Sequence, residues 1–212
     1  MADLYAHTQA VLDAVARAPR RDGRLVVGIA GPPGSGKSTL ARNVVDRLNA
    51  QERSPPMAAL VPMDGFHLDN ARLDALGLRA AKGAPETFDA EGFVALVRRL
   101  REARQDIRYP LFDRAADRTL PDAGLFRAGT PIAVVEGNYL LLSEDAWGDL
   151  APLFDVTVMI APPTEVLEKR LIQRWLDYGL PADEARRRAQ GNDMTNARRV
   201  LDGSEAADLV LS

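Results

Sequence analysis

A chain of 212 residues, 46% hydrophobic and 27% charged, has the make-up of a globular protein with one sizeable core. Its net charge of −3 offers no global basic field to nucleic acid or acidic membranes, and the lack of cysteine excludes disulfides and thiolate metal sites. Apolar runs are strand-sized, and Arg20-Arg21 precedes only such a run rather than an export signal, so a cytoplasmic protein is expected.

Residues 3–18 carry Leu4, Val11, Leu12 and Val15 at helical spacing and stop at Pro19, which predicts an amphipathic helix covering a sheet. Leu25, Val26, Val27 and Ile29 form an apolar run that reads as a buried strand. It leads into Gly31-Pro32-Pro33-Gly34-Ser35-Gly36-Lys37-Ser38, a match to G-x-x-x-x-G-K-[ST]. A helical pattern follows, with Leu40, Val44, Val45 and Leu48 on one face. Strand, glycine loop and helix are the context this pattern requires.

The residue types suit a phosphate chain. Gly31, Gly34 and Gly36 let the backbone turn sharply, so successive N–H groups face one anion, and the helix starting near Lys37 adds its positive end. Lys37 is expected to reach the β- and γ-phosphates and the Ser38 hydroxyl to ligate Mg²⁺; Thr39 is its neighbour in the nucleotide site, not the metal ligand. Lys37, Lys82 and Lys169 are the only lysines among many arginines, which argues against an incidental lysine in a glycine-rich turn.

Residues 58–63 predict a second strand, bent or frayed near Pro62 and ending at Asp64-Gly65. From Phe66 to Phe88, with Gly77, Gly83 and Pro85 as breakers, the pattern suggests short helices and a substrate-covering loop. Residues 89–103 read as a helix presenting Phe93, Leu96, Val97 and Leu100; residues 107–113 and 118–127 read as a hairpin at the sheet edge. Pro131 to Glu136 is an apolar strand ending in an acid and Gly137, followed by a short helix over Tyr139–Leu142. Residues 156–160 form another strand. A helix from Thr164, its candidate N-cap, to Tyr178 ends at Gly179. Residues 182–190 and 192–201 are helical and arginine-rich, and 207–211 give a last strand. This alternation predicts an α/β fold with a mainly parallel sheet. Residues 1–212 read as one domain, with a covering region at about 66–127 and a lid at about 164–199.

The carboxyl ends of parallel strands share one edge, where ligands bind. The glycine loop, Asp64 and Glu136 therefore converge on one crevice. Each acid has two roles open there, general base for an acceptor hydroxyl or Mg²⁺ ligand, besides that of a strand-end turn cap. Arg170 and Arg174, four apart, share a helix face suited to a phosphate-neutralising lid, whereas Arg186, Arg187 and Arg188 read as a solvated face because adjacent residues cannot all address one site. Asp193 and Asn196 fit either lid anchoring or helix capping. His67 fits either substrate contact or a structural role. Tyr109, Phe112 and Tyr139 fit a pocket or the core.

Together, GPPGSGKST, PMDGFHLD, KGAPETFD, YPLFDR and VEGNYLLL resemble the uridine kinase / phosphoribulokinase / type I pantothenate kinase superfamily of P-loop kinases. The likeness spans about Val26 to Arg199 and is nearest to a bacterial group labelled nucleoside kinase-like or fructose transport system kinase. Lys82 to Asp89 is similar to a pantothenate kinase segment. Gly65 and His67 depart from the serine and tyrosine usual in uridine kinases. The resemblance implies a three-layer P-loop NTPase sandwich with a helical lid, and transfer of the ATP γ-phosphoryl group to a hydroxyl of a small molecule (sugar, nucleoside or pantothenate-like alcohol). By position it implies Asp64 as general base, Glu136 near Mg²⁺ and substrate, Arg170 and Arg174 on phosphates, and Lys82, Tyr109 and Arg114 around the acceptor. Relatives often self-associate, so a homodimer is compatible with it; no nucleic-acid or membrane partner is implied. The rival readings are a nucleotide switch and an ATP-binding metabolite sensor. A GTPase needs an Asn-Lys-x-Asp motif, and no Asn-Lys pair occurs; the intact set of Lys37, Ser38, Asp64 and Glu136 speaks against a sensor.

Overall fold

The computed structural model describes residues 2–19, 23–51, 54–102 and 104–212; Arg20-Arg21 and Ala103 lie outside them. The chain runs α1 (Ala2–Arg17), β1 (Leu25–Ala30), α2 (Lys37–Leu48), β2 (Ala58–Pro62), α3 (Asn70–Ala75), α4 (Ala90–Glu102), β3 (Ile107–Asp113), β4 (Arg118–Phe126) and β5 (Ile132–Gly137). It continues through β6 (Val156–Ile160), α5 (Thr164–Asp177), α6 (Ala182–Arg188), α7 (Met194–Gly203) and β7 (Leu209–Leu211). Five strands form a sheet in the order β2-β5-β1-β6-β7, and every pairing in it is parallel.

Because successive strand residues face opposite sides, β1 feeds two cores. Val27 and Ile29 pack with Leu40, Ala41 and Val44 of α2 and Val11 of α1; Val26 and Ala30 pack with Phe93, Val97 and Leu100 of α4. The result is a helix–sheet–helix sandwich. A third, smaller core joins Leu167 and Leu171 of α5 to Ala189, Met194 and Ala197, giving the α5–α7 region its own packing. Among the described residues no helix is long and apolar enough to cross a membrane.

Four details differ from the sequence-based expectations. The β3–β4 hairpin is a separate antiparallel sheet, not an extension of the main edge, with its register broken between Tyr109 and Leu111 where Pro110 has no N–H to give. Residues 139–142 form a turn instead of a helix. Tyr139, Leu140, Leu141 and Leu142 are all buried, which one helix face does not allow, and Leu142 bridges to Ser204. Thr164 is the first helical residue and makes no cap bond; the Pro163 carbonyl before it accepts from Val166 and Leu167. The two arginine-rich helices are joined by a π-helical turn, Ala189–Asp193. Pro62 stays within β2, which is tolerated because β2 is an edge strand.

Candidate active site

The loop between β1 and α2 is held open by backbone conformations that favour glycine. Gly34 (φ 81°) and Gly36 (φ 97°) are left-handed, and Gly36 directly precedes α2, whose first residue is Lys37. Lys37 is half-buried. Burial pulls its ammonium below the usual lysine range, against the opposing pull of Glu136 and Asp64. The buried Ser35 hydroxyl has no partner within the protein. Arg170 Nη1 donates to the loop carbonyls of Gly34 (3.2 Å) and Ser35 (3.1 Å), and Leu171 of the same helix packs against Gly34.

Glu136 sits at the end of β5, an interior strand, only 5% exposed, and its Oε2 accepts from Ser38 Oγ at 3.0 Å. Burial pushes its carboxyl up, with Asp64 adding and Lys37 and Ser38 opposing. Asp64 lies in the 3₁₀ turn that follows β2. Its neighbour is glycine for lack of space: a Cβ at Gly65 would lie 2.0 Å from the Pro110 carbonyl oxygen of β3. This close approach brings the hairpin over the turn, and the hairpin's Arg114 forms an ion pair with the Asp64 carboxylate. His67 Nδ1 faces the Asp64 carbonyl at 2.8 Å. Its ring lies 4.0 Å from that of Phe88 and 4.6 Å from that of Phe112, and burial lowers its pKa. Lys82 Nζ donates to Asn70 Oδ1 (2.7 Å) and Asp117 Oδ1 (2.6 Å) and lies 5.1 Å from the Phe112 ring centre.

These groups surround one cleft of about 1310 Å³. Of the residues expected from sequence, Pro33, Gly34, Gly36, Lys37, Ser38, Thr39, Asp64, His67, Lys82, Arg114 and Arg174 line it. Gly31, Pro32, Ser35 and Glu136 are buried and do not line it. Tyr109 and Tyr139 do not face the cleft as substrate-binding residues would. Tyr109 donates from the core to the Leu60 carbonyl at 2.8 Å, and fully buried Tyr139 donates to the Gly83 carbonyl. Arg170 and Arg174 part company. Arg170 braces the loop, while Arg174 lines the cleft and pairs with Asp193 at 2.9 Å.

Sequence reasoning missed Asn138, Trp175, Arg188 and Asn192, all on the cleft wall. Asn138 directly follows the strand-end acid, a usable signal. Arg188 is the one member of the arginine triplet that reaches in, 5.0 Å over the Trp175 ring. The π turn places Asn192, whose amide donates to the Lys82 carbonyl at 2.9 Å, and Asp193, which accepts from Trp175 Nε1 at 2.6 Å.

The arrangement fits a nucleotide and Mg²⁺. The desolvated Lys37 ammonium and the N-terminus of α2, both at the cleft, are set to meet an anion. Ser38 and Glu136 supply two adjacent oxygens beside it, and no group of three or more His, Cys, Asp or Glu that could hold a metal occurs among the described residues. Such a sparse oxygen set suits Mg²⁺, which keeps waters and phosphate oxygens as ligands instead of entering a protein cage.

Residues 26–178 match the model of the phosphoribulokinase / uridine kinase family. The chain belongs to this family. Among solved structures, this phosphoribulokinase / uridine kinase member is similar to the "putative fructose transport system kinase" of Silicibacter sp. TM1040. Identity is 46%, 99% of this chain and 98% of that one are covered, and the TM-score is 0.89. It is 38% identical to the YggC protein of Escherichia coli, over 89% of this chain and 77% of that protein. It is 35% identical to a "putative uridine kinase" of Schizosaccharomyces pombe, over 89% of this chain and 83% of the relative.

Proposed function

We propose that this chain is an ATP- and Mg²⁺-dependent kinase that phosphorylates a hydroxyl of a small molecule. The observation that carries the reading is that the Asp64 carboxylate lines the same cleft as Pro33, Gly34, Gly36, Lys37 and Ser38 of the glycine loop. Loop amides, Lys37 and the start of α2 hold the phosphates. Ser38 and Glu136 hold the metal, which when bound neutralises phosphate charge. Asp64 orients the acceptor hydroxyl; as the acceptor oxygen bonds to the γ-phosphorus, its proton passes to Asp64 and ADP leaves with the bridging oxygen. Arg174 and Arg188 offset charge on the transferring group from the lid side, and Arg170 keeps the loop in shape. Positioning and electrostatics supply most of the acceleration.

The test is acceptor-dependent ADP release with Mg-ATP over sugars, nucleosides, pantothenate and hydroxy acids. A product lost in Asp64→Asn supports the reading. Tight ATP and metabolite binding without any product would replace it with a sensor.

A further inference from the structure

Lys82, on the cleft wall, is held at both ends. Its ammonium donates to Asn70 Oδ1 at 2.7 Å and to Asp117 Oδ1 at 2.6 Å. Asp117 sits in the turn between β3 and β4 with φ 49°, a left-handed conformation that glycine adopts more readily. Glycine would suit that backbone better, but only a side chain there can join the hairpin tip to Lys82. At the other end the Lys82 carbonyl accepts from Asn192 Nδ2 at 2.9 Å, out of the π turn. Buried Asn196 donates to Asn192 Oδ1 at 3.3 Å, which fixes the end of the amide that faces Lys82.

The π turn itself is fastened to the lid. Gln190 donates to Glu168 of α5 at 2.6 Å, and Asp193 accepts from Trp175 and pairs with Arg174. Arg188, just before the turn, lies over the Trp175 ring, and its ion pair with Glu184 is exposed. Successive residues of the turn therefore serve two places, Asp193 the lid and Asn192 the acceptor wall. Farther along α7, Arg199 pairs with Glu86 and Glu144, so that end of the helix is anchored independently of Asn192. Arg174 and Arg188 face the cleft. Phosphate bound there attracts both guanidiniums, and the turn follows them because Trp175 and Asp193 are bonded to each other.

We propose that Asn192 is a positioning residue: by holding the Lys82 carbonyl it carries the position of the lid to Lys82 and, through Asp117, to the hairpin tip, so that nucleotide under the lid fixes the acceptor wall. The inference rests on the kinase reading above and adds the route by which one substrate prepares the place of the other. In this role Asn192 acts through Lys82, not on the reacting atoms. The effect is reciprocal, since a wall fixed by the acceptor favours the same lid position as nucleotide does.

Amide hydrogen exchange at residues 111–119, the hairpin tip, is compared with and without a saturating non-hydrolysable Mg-ATP analogue. The readout is the ratio of the two rates. In wild type the analogue should slow exchange there by about fivefold, the scale of one neutral hydrogen bond. Asn192→Ala removes the bond to the carbonyl; Lys82→Met keeps the carbonyl and removes the bond to Asp117. Each should bring the ratio near one, and the double variant should do no more than either. Protection of residues 31–38 in the same samples reports bound nucleotide and a folded protein, and is expected in all four proteins. A purely structural clamp would speed exchange in the variants with and without nucleotide alike and leave the ratio at its wild-type value, which overturns the inference. A loss in Lys82→Met that Asn192→Ala does not share, or a double variant that loses more than either single, overturns it too. A protected loop with an unslowed hairpin in wild type overturns the inference and leaves the kinase reading standing; an unprotected loop overturns both.

Discussion

The two sides of the cleft are built by different means. On the nucleotide side, the groups that would meet phosphate are mostly backbone, fixed between the central strand β1 and α2 and braced by Arg170 through carbonyls. On the acceptor and lid side they are side chains on short turns, a detached hairpin and the lid helix α5, and their charges are already paired: Arg114 with Asp64, Lys82 with Asp117, Arg174 with Asp193. Preorganised dipoles cost nothing further when a ligand arrives. Paired side chains must exchange partners first. On the proposed reading, the first side suits a nucleoside triphosphate and the second sets selectivity.

The sharpest test of that division removes a side-chain charge and leaves the backbone site intact. Asp64→Asn should lower kcat on the order of 10²–10⁴-fold, while titration with ATP shows unchanged affinity. A folded variant with wild-type kcat would remove Asp64 from the proton transfer. Next in size is a break in the scaffold of the acceptor side. Gly65→Ala places a methyl against the Pro110 backbone, whose carbonyl cannot swing aside as a side chain would, so stability should fall by about 3 kcal/mol in chemical denaturation. An unaltered midpoint would mean the hairpin is loosely docked on the turn.

The third test concerns the acid that stands behind both sides. Burial raises the folded-state pKa of Glu136, so its charged form costs stability. The protein is then favoured below the ordinary glutamate range, and that advantage is lost as pH rises through the raised folded value. Glu136→Gln should therefore gain in Tm relative to wild type as pH is taken from about 4 to about 8, and lose activity at the same time. A parallel pair of Tm curves would show that Lys37 and Ser38 fully offset the burial of the charge.

Much of the nucleotide side was legible because its signals are local. The β-branched run, the glycines and the helical face that follows lie within one stretch, and Glu136 ends an unbroken apolar strand. The other side depends on what meets what. Spacing placed Arg170 and Arg174 on one helix face but not what that face touches; one meets the loop carbonyls and the other Asp193. Tyr109 and Tyr139 have the composition of pocket aromatics, yet depth in the core is not encoded in periodicity. The extended pattern of residues 107–126 is the same whether the hairpin joins the main sheet or pairs only with itself. No residue pattern announced the π turn that turns Asn192 and Asp193 to the cleft, although π turns recur at functional sites.

The smallest expected effect separates two roles for Asp193. Its carboxylate accepts from Trp175 Nε1 and pairs with Arg174, whose Nε is buried without a partner. Asparagine keeps an acceptor for the indole and removes the charge that holds the guanidinium. Asp193 is buried, but Arg174 is 34% exposed and asparagine keeps an acceptor for the indole, so Asp193→Asn should cost about 1 kcal/mol of stability. If Asp193 competes with phosphate for Arg174, KM for Mg-ATP should fall by up to about fivefold, the equivalent of that energy, whereas Arg174→Ala should raise it. If both variants raise KM alike, Asp193 instead aims Arg174 at the phosphates. The lid side would then be preorganised too, and the contrast between the two sides would narrow to the acceptor end.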